Sequence, residues 1–227
     1  MDAHLPLLYS SVLFRNFSRE EVDHVLNCLK GEVRTYGRRE LIFSQGQKMD
    51  AVGVVLEGQV LHVMDNENGA RTIVSEHGVG DVIGEIALQG ELLQGYYEAG
   101  LGTSCSVLML KIEKIIRADK TTCRMRGRVI ENIMGLILAN NRRLSQKLDL
   151  VSYKSLRERT LHFLSTYAKR MNSRSFEIPF SRTDMADYLL VDRSALSREL
   201  QRMKSDGLID FQGNTFTVHV MGPAYIL

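Results

Sequence analysis

The chain has 227 residues, 44% of them hydrophobic, enough to bury a sizeable core shared between two ordinary domains. No apolar run approaches the roughly 20 residues of a membrane span, and the start MDAHLPLLYSS lacks the basic region and long apolar core of a secretion signal, so a cytoplasmic protein with no membrane partner is expected. The net charge of +2 hides a split, because residues 1–113 carry 9 Lys and Arg against 16 Asp and Glu while residues 114–227 carry 20 against 11, the pattern of an acidic half joined to a polyanion-binding module, or of an ordinary basic helical surface.

Taken in chain order, Ser18-Arg-Glu-Glu21 is a capping box opening a short helix whose Val22, Val25, Leu26 and Leu29 share one face. From Gly31 the segments ELIF, VGVVLEG, QVLHVM and RTIVS are short, rich in Val, Ile and Leu, and separated by glycines. They predict an antiparallel roll with tight corners running to about Lys111. The thiols Cys28, Cys105 and Cys123 have no paired spacing that would hold zinc or an iron-sulfur cluster, which leaves them as reduced, packed side chains and predicts no metal site.

Helical periodicity returns after residue 124. Ile130, Ile137, Leu144 and Val151 repeat every seven residues, and Met134, Asn141 and Leu148 form a second row four after each. Two such rows make the seam of a coiled coil on a helix of about 28 residues, with Asn141 as the buried amide that fixes register in a two-stranded pairing. The alternative is a core helix packed within its own chain. Ser155-Leu-Arg-Glu158 is a second capping box, so a break and hinge are expected near 152–154. The helix LRERTLHFLSTYAKRM then buries Leu156, Leu161, Leu164 and Tyr167 or their neighbours, FEIPF reads as a short strand, and Ser181-Arg-Thr-Asp184 is a third N-cap signal.

In RTDMADYLLVDRSALSRELQRMK, Met185, Tyr188 and Leu189 give one helix its apolar face, and Leu196, Leu200 and Met203 give the next its own. Asp192 is a good N-cap for the second helix. Arg193, Ser194, Ser197 and Arg198 then lie away from the apolar face, at the N-terminal half of the second helix where base edges are read in a helix-turn-helix. LIDFQGNTFTV adds two alternating strands around Gly213-Asn214, a wing able to touch phosphates. The plainer explanation of these arginines is the wetted face of an amphipathic helix.

From about residue 8 to 220 these pieces resemble the CRP/FNR superfamily of bacterial transcription regulators. LIFSQG, VVLEGQV and GDVIGEIAL are similar in order and spacing to that family's effector-binding β-roll, and the capped helix-turn-helix sits at the expected end. The resemblance implies an α+β chain: an N-terminal antiparallel, cyclic-nucleotide-binding-like jelly roll over 1–123, a dimerisation helix and hinge over 124–152, and a C-terminal winged helix-turn-helix over 153–227. It implies a homodimer on promoter DNA, with RNA polymerase a further partner if the protein activates. It places Arg193, Ser194 and Arg198 at base-contacting positions, with Ser181, Arg182 and Thr183 near backbone phosphate. Two departures stand out: Leu190 replaces the glycine usual in the turn, and Ser194 replaces the usual base-reading glutamate.

The same resemblance outlines an effector pocket from His62, Val74, Ser75, Gly84, Glu85, Ile86, Tyr96 and Tyr97, closed by Leu144 and Ser145 of the long helix. Cyclic-nucleotide-binding members carry an arginine after Gly-Glu to hold the cyclic phosphate. Gapless alignment puts Gly95 and Tyr96 there, and between Arg71 and Lys111 there is no arginine at all, so nothing near that loop offers a bidentate fork and cyclic AMP is not the expected effector. A lone His62 on its strand is a packed core histidine or, since some members sense gases through haem, a haem ligand. VDRSALSREL resembles the nitrosative-stress and anaerobic branches. Cupin-type metal chemistry needs a close histidine pair that His62 and His77 do not form in sequence, and no nucleophile elbow or phosphate loop is present, so no enzyme is expected. A constitutive DNA-binding protein with a purely structural roll stands as the other alternative.

Overall fold

Two four-stranded antiparallel sheets, a long helix and a small three-stranded sheet account for most of the molecule, described by the computed structural model over residues 5–84, 92–101, 104–111 and 125–219. The expectations for Glu85, Ile86 and Cys123 lie outside the described residues. Helix α1 (Leu5–Ser10) and a short 3-10 turn lead into α2 (Arg19–Cys28). The Ser18 hydroxyl accepts from Glu21 N and the Glu21 carboxylate accepts from Ser18 N, the expected capping box.

Strands β1 (Glu32–Tyr36), β2 (Leu41–Phe43), β3 (Val52–Glu57), β4 (Val60–Asp65), β5 (Arg71–His77), β6 (Val82–Ile83), β7 (Tyr96–Ala99) and β8 (Cys105–Leu110) form the roll, in the orders β1-β8-β3-β6 and β2-β7-β4-β5. Every residue of β8 is buried, because Val107 and Met109 face the roll interior with Phe43, Val60 and Tyr97, while Leu108 and Leu110 face α2 and the long helix. Each such fully buried aliphatic side chain contributes about 1.5–3 kcal/mol of transfer free energy.

Helix α3 (Arg126–Ser152) is an uninterrupted 27 residues, about 40 Å at the standard rise. Val129 and Ile133 pack on the roll and α2. The opposite side exposes Ile130, Met134, Ile137, Leu144 and Leu148, with Asn141 exposed among them and Val151 half-buried. Leu138, 69% exposed, widens this stripe beyond the two rows read from the heptads.

Tyr153 is extended, and Ser155, whose hydroxyl accepts from Glu158 N, opens α4 (Leu156–Met171). Then follow β9 (Ser175–Glu177), α5 (Arg182–Leu189), α6 (Arg193–Ser205), β10 (Ile209–Gln212) and β11 (Thr215–Val218), with the sheet order β10-β11-β9. Their core of Phe163, Leu164, Met185, Leu189, Leu196, Leu200 and Phe216 is continuous with Leu61, Val63 and Ile73 of the roll. The two halves are therefore packed together, which the sequence did not foreshadow.

Residue alternation corrects one expectation. Tyr97 points into the roll, but its strand neighbour Tyr96 points outward and packs against the C-terminal core, because successive side chains of a strand take opposite faces. Val74 sits at a bulge, the register passing from His62↔Ser75 to Val63↔Ile73.

Candidate nucleic-acid interface

The helix-turn-helix is built from two capped helices crossing at a tight turn. Ser181 caps α5: its hydroxyl accepts from Asp184 N at 3.0 Å, and the Asp184 carboxylate accepts from Ser181 N at 3.2 Å. The turn is made by Leu190, at φ 55 and ψ 50, a left-handed conformation that glycine adopts without steric cost. Leu190 thus takes, with a side chain, the left-handed position at which glycine is usual. Asp192 then caps α6, accepting from Ser194 N at 2.9 Å and Ala195 N at 3.0 Å. The Ser194 hydroxyl and those amides hold its carboxyl below the usual range.

With Leu196, Leu200 and Met203 buried, Arg193, Ser194, Ser197 and Arg198 are all exposed on the opposite side of α6. The Ser194 hydroxyl donates to Asp192 and the Ser197 hydroxyl donates to Arg193 O at 2.9 Å. Arg193 and Arg198 enter no salt bridge among the described residues, whereas Arg157, at the start of α4, is tied to Glu199 and Asp206 at 2.6 Å each. Two guanidinium forks at the positive end of a helix suit guanine O6 and N7 or phosphate.

Arg182 is placed differently from Arg193. Its guanidinium lies 4.6 Å from the Phe216 ring and 5.2 Å from that of Phe211 and donates to Gly213 O, so it pins the wing to the start of α5. Ser181 is half-buried at the cap and Thr183 is exposed.

In the roll, the register sets Ser75, His62 and Tyr97 side by side across β5, β4 and β7. His62 stacks on Tyr97 at 4.5 Å and donates from Nε2 to Gln94 O at 3.0 Å; burial lowers its pKa. Nε2 is thus engaged by Gln94 O, a bond that an iron at that nitrogen would have to replace. His77, absent from the expected pocket, lies 5.9 Å from the same tyrosine, with Nε2 2.9 Å from the Ser75 hydroxyl. Gly84 packs against Met49 and Phe43. Among the described residues no group of three or more His, Cys, Asp or Glu could hold a metal ion.

Gly95 has φ +76, and a Cβ there would lie 2.2 Å from Val63 O, so no side chain fits where the family's phosphate-binding arginine aligns. A guanidinium from outside the Arg71–Lys111 stretch does come beside His77 of the roll. Arg143 of α3 pairs with Asp81 and lies 3.3 Å from His77 Nδ1. Arg143 lies 62 residues beyond Asp81 on α3, and no local pattern in the roll strands marks it. Leu144 and Ser145 point instead to the exposed side of α3.

A third set of charges lies between the halves. Glu76 of β5 pairs with Arg170 at 2.5 Å and accepts from the Tyr167 hydroxyl of α4. Lys147 of α3 donates to Tyr188 O, and burial holds its pKa down at about 7.

Residues 158–221 match the Crp-like helix-turn-helix domain family, and residues 33–118 match the cyclic nucleotide-binding domain family. Electron transport regulator A of Shewanella oneidensis is 26% identical over 179 residues, 77% of this chain and 69% of that one. The nitrogen fixation regulation protein FixK of Rhizobium meliloti is 26% identical over 192 residues, 84% of this chain and 83% of that one. Among solved structures, FixK2 of Bradyrhizobium japonicum superposes with a TM-score of 0.70 at 23% identity, covering 84% of this chain and 93% of that one. The c-di-GMP responsive regulator CLP of Xanthomonas campestris superposes at 0.74 and 16% identity, covering 89% and 100%. Among the described residues no helix is long and apolar enough to cross a membrane. A sensor-type roll followed by a Crp-like head on one polypeptide makes this chain a member of the CRP/FNR family of DNA-binding transcription regulators, which are not enzymes.

Proposed function

We propose that the protein binds an inverted-repeat operator in promoter DNA as a homodimer paired along α3, and that a small effector other than cyclic AMP, held in the roll, governs that binding. The observation that carries the reading is the exposed pair Arg193 and Arg198 at the capped start of α6. Homodimer formation is supported by the apolar stripe of α3, where Met134 is 61% and Leu148 69% exposed. A two-fold dimer carries its two α6 helices into successive major grooves, about 34 Å apart. Ser181, Arg182 and Thr183 then face the sugar-phosphate backbone, Ser194 and Ser197 flank the base-reading arginines, and RNA polymerase is the further partner at activated promoters.

The effector side rests on the closed position at Gly95 and on the commitment of Arg143 to Asp81. Without a fork available to a phosphate diester, cyclic nucleotides lose the charge-assisted pair that would hold them. Binding to promoter DNA implies a cytoplasmic protein. Light scattering of the protein on a duplex carrying the inverted repeat should give two chains per duplex; one chain per duplex at full affinity contradicts the reading.

A further inference from the structure

We propose that an ion cluster between the roll and the first helix of the helix-turn-helix clamps the DNA-reading head in a fixed orientation, making Arg39, Arg71, Glu98 and Asp187 positioning residues for DNA recognition. The inference rests on the dimeric, inverted-repeat reading above. Arg71 donates through Nη1 to Asp184 at 3.0 Å and Asp187 at 2.5 Å, and through Nη2 to Glu98 at 2.5 Å. Arg39 donates to Asp184 at 2.5 Å and also pairs with Glu98. Two guanidinium groups of the roll thus hold two carboxylates of α5, with Glu98 of β7 bridging the pair.

Asp184 makes the arrangement directional. It is 0% exposed, and its two oxygens do different work: Oδ2 accepts from Ser181 and caps α5, while Oδ1 accepts from both Arg39 and Arg71. One carboxylate therefore ties the helix N-terminus to the roll. The apolar contact beneath it, through Leu61, Val63 and Ile73, is non-directional and would leave the head able to turn. Forked, charge-assisted bonds fix angle as well as distance. Only residues 153–155 separate α3 from α4, so setting α5 on the roll also sets the reading helix relative to the dimer axis.

The clamp does not cover the reading face, since Arg193, Ser194, Ser197 and Arg198 are exposed while it is closed. It is built to preorganise rather than to block. A head held in place loses less orientational freedom on binding, and the benefit accrues only when two heads must engage at once. Affinity for a single half-site should then be indifferent to the clamp, while affinity for the full repeat and its preferred spacing should depend on it.

The test uses two variants of the full chain, the double replacement Arg39→Gln with Arg71→Gln, which keeps the capping residues but removes two donors to Asp184, and the milder, near-isosteric Asp187→Asn, which leaves the cap's own bonds intact; neither alters the reading face. Each is titrated against duplexes carrying the repeat selected by the wild-type protein, a single half-site, and the repeat with its spacing changed by about 5 base pairs, half a helical turn. Tryptic cleavage after the exposed Lys154 of the hinge is followed in parallel without DNA. The clamp predicts about tenfold weaker binding to the full repeat, half-site affinity within about twofold of wild type, weaker spacing discrimination and faster cleavage. Unchanged full-site affinity and spacing, tighter binding, or equal losses on half-site and full site would each overturn it. If the wild-type protein fails to prefer the repeat to the half-site, the dimeric reading falls instead; cleavage at Lys154 that is no faster in either variant then refutes the clamp on its own.

Discussion

Lowering the pH from 7 to 5 should weaken the fold by about 2 kcal/mol through the His77 ring alone. The ring is 1% exposed, with Nε2 2.9 Å from the Ser75 hydroxyl and Nδ1 3.3 Å from the Arg143 guanidinium. Burial first, and the Arg143 charge second, push its pKa down to about 3. In the unfolded chain an ordinary imidazole titrates near about 6.5, so below that pH the unfolded state takes up a proton that the folded state refuses until about 3. Stability from this group is therefore complete above about pH 6.5 and declines as the pH falls toward 3, by about 1.4 kcal/mol per unit, or about 2 kcal/mol over the 1.5 units to pH 5. Urea midpoints measured at pH 7, 6 and 5 should show the decline in wild type and a flatter one in His77→Gln, which keeps a polar amide between Ser75 and Arg143 but has no proton to gain. Equal slopes in the two proteins, or a ring resonance titrating near 6.5 in the folded state, would refute the placement of His77.

Two other substitutions follow from the local geometry. Leu190→Gly should leave stability within about 1 kcal/mol of wild type, since relief of a left-handed leucine, about 1–2 kcal/mol, is offset by glycine's extra freedom in the unfolded chain and by about 1 kcal/mol of lost burial from a side chain 46% exposed. A loss of about 2 kcal/mol, the sum of the two costs alone, would show that the turn carries no strain. Arg182→Ala should free the wing from α5, speeding hydrogen exchange in β10 and β11 and weakening binding to all sequences alike while the selected motif stays the same. Unchanged exchange would remove Arg182 as the link to the wing.

Features carried by local chemistry were legible in the sequence. The caps at Ser18, Ser155, Ser181 and Asp192 sit where an N-cap side chain precedes an apolar run, and each is formed. The heptad rows marked the exposed side of α3, and the 2-residue period of the roll marked its strands. What escaped were pairings between distant segments, which leave no periodic trace: Arg143 with Asp81, Glu76 with Tyr167 and Arg170, and the cluster joining Arg39 and Arg71 to Asp184 and Asp187. Asp184 shows the difficulty, because its spacing from Ser181 already explains it as a cap and nothing local announces its second bond. Tyr96 enters the expected pocket through the alignment with the family's phosphate-binding position, and alternation along β7 turns it away from the side that Tyr97 faces.

The central claim, that α6 is the reading head of a symmetric dimer, is tested most directly by binding-site selection on the wild-type protein and on Arg198→Ala. The account predicts an inverted repeat with half-sites one helical turn apart for the wild type. For Arg198→Ala it predicts the same repeat with relaxed preference at one base of each half-site, at a cost of about 1–3 kcal/mol per half-site. Selection of no symmetric motif, or of an unchanged motif at unchanged affinity by Arg198→Ala, would contradict it.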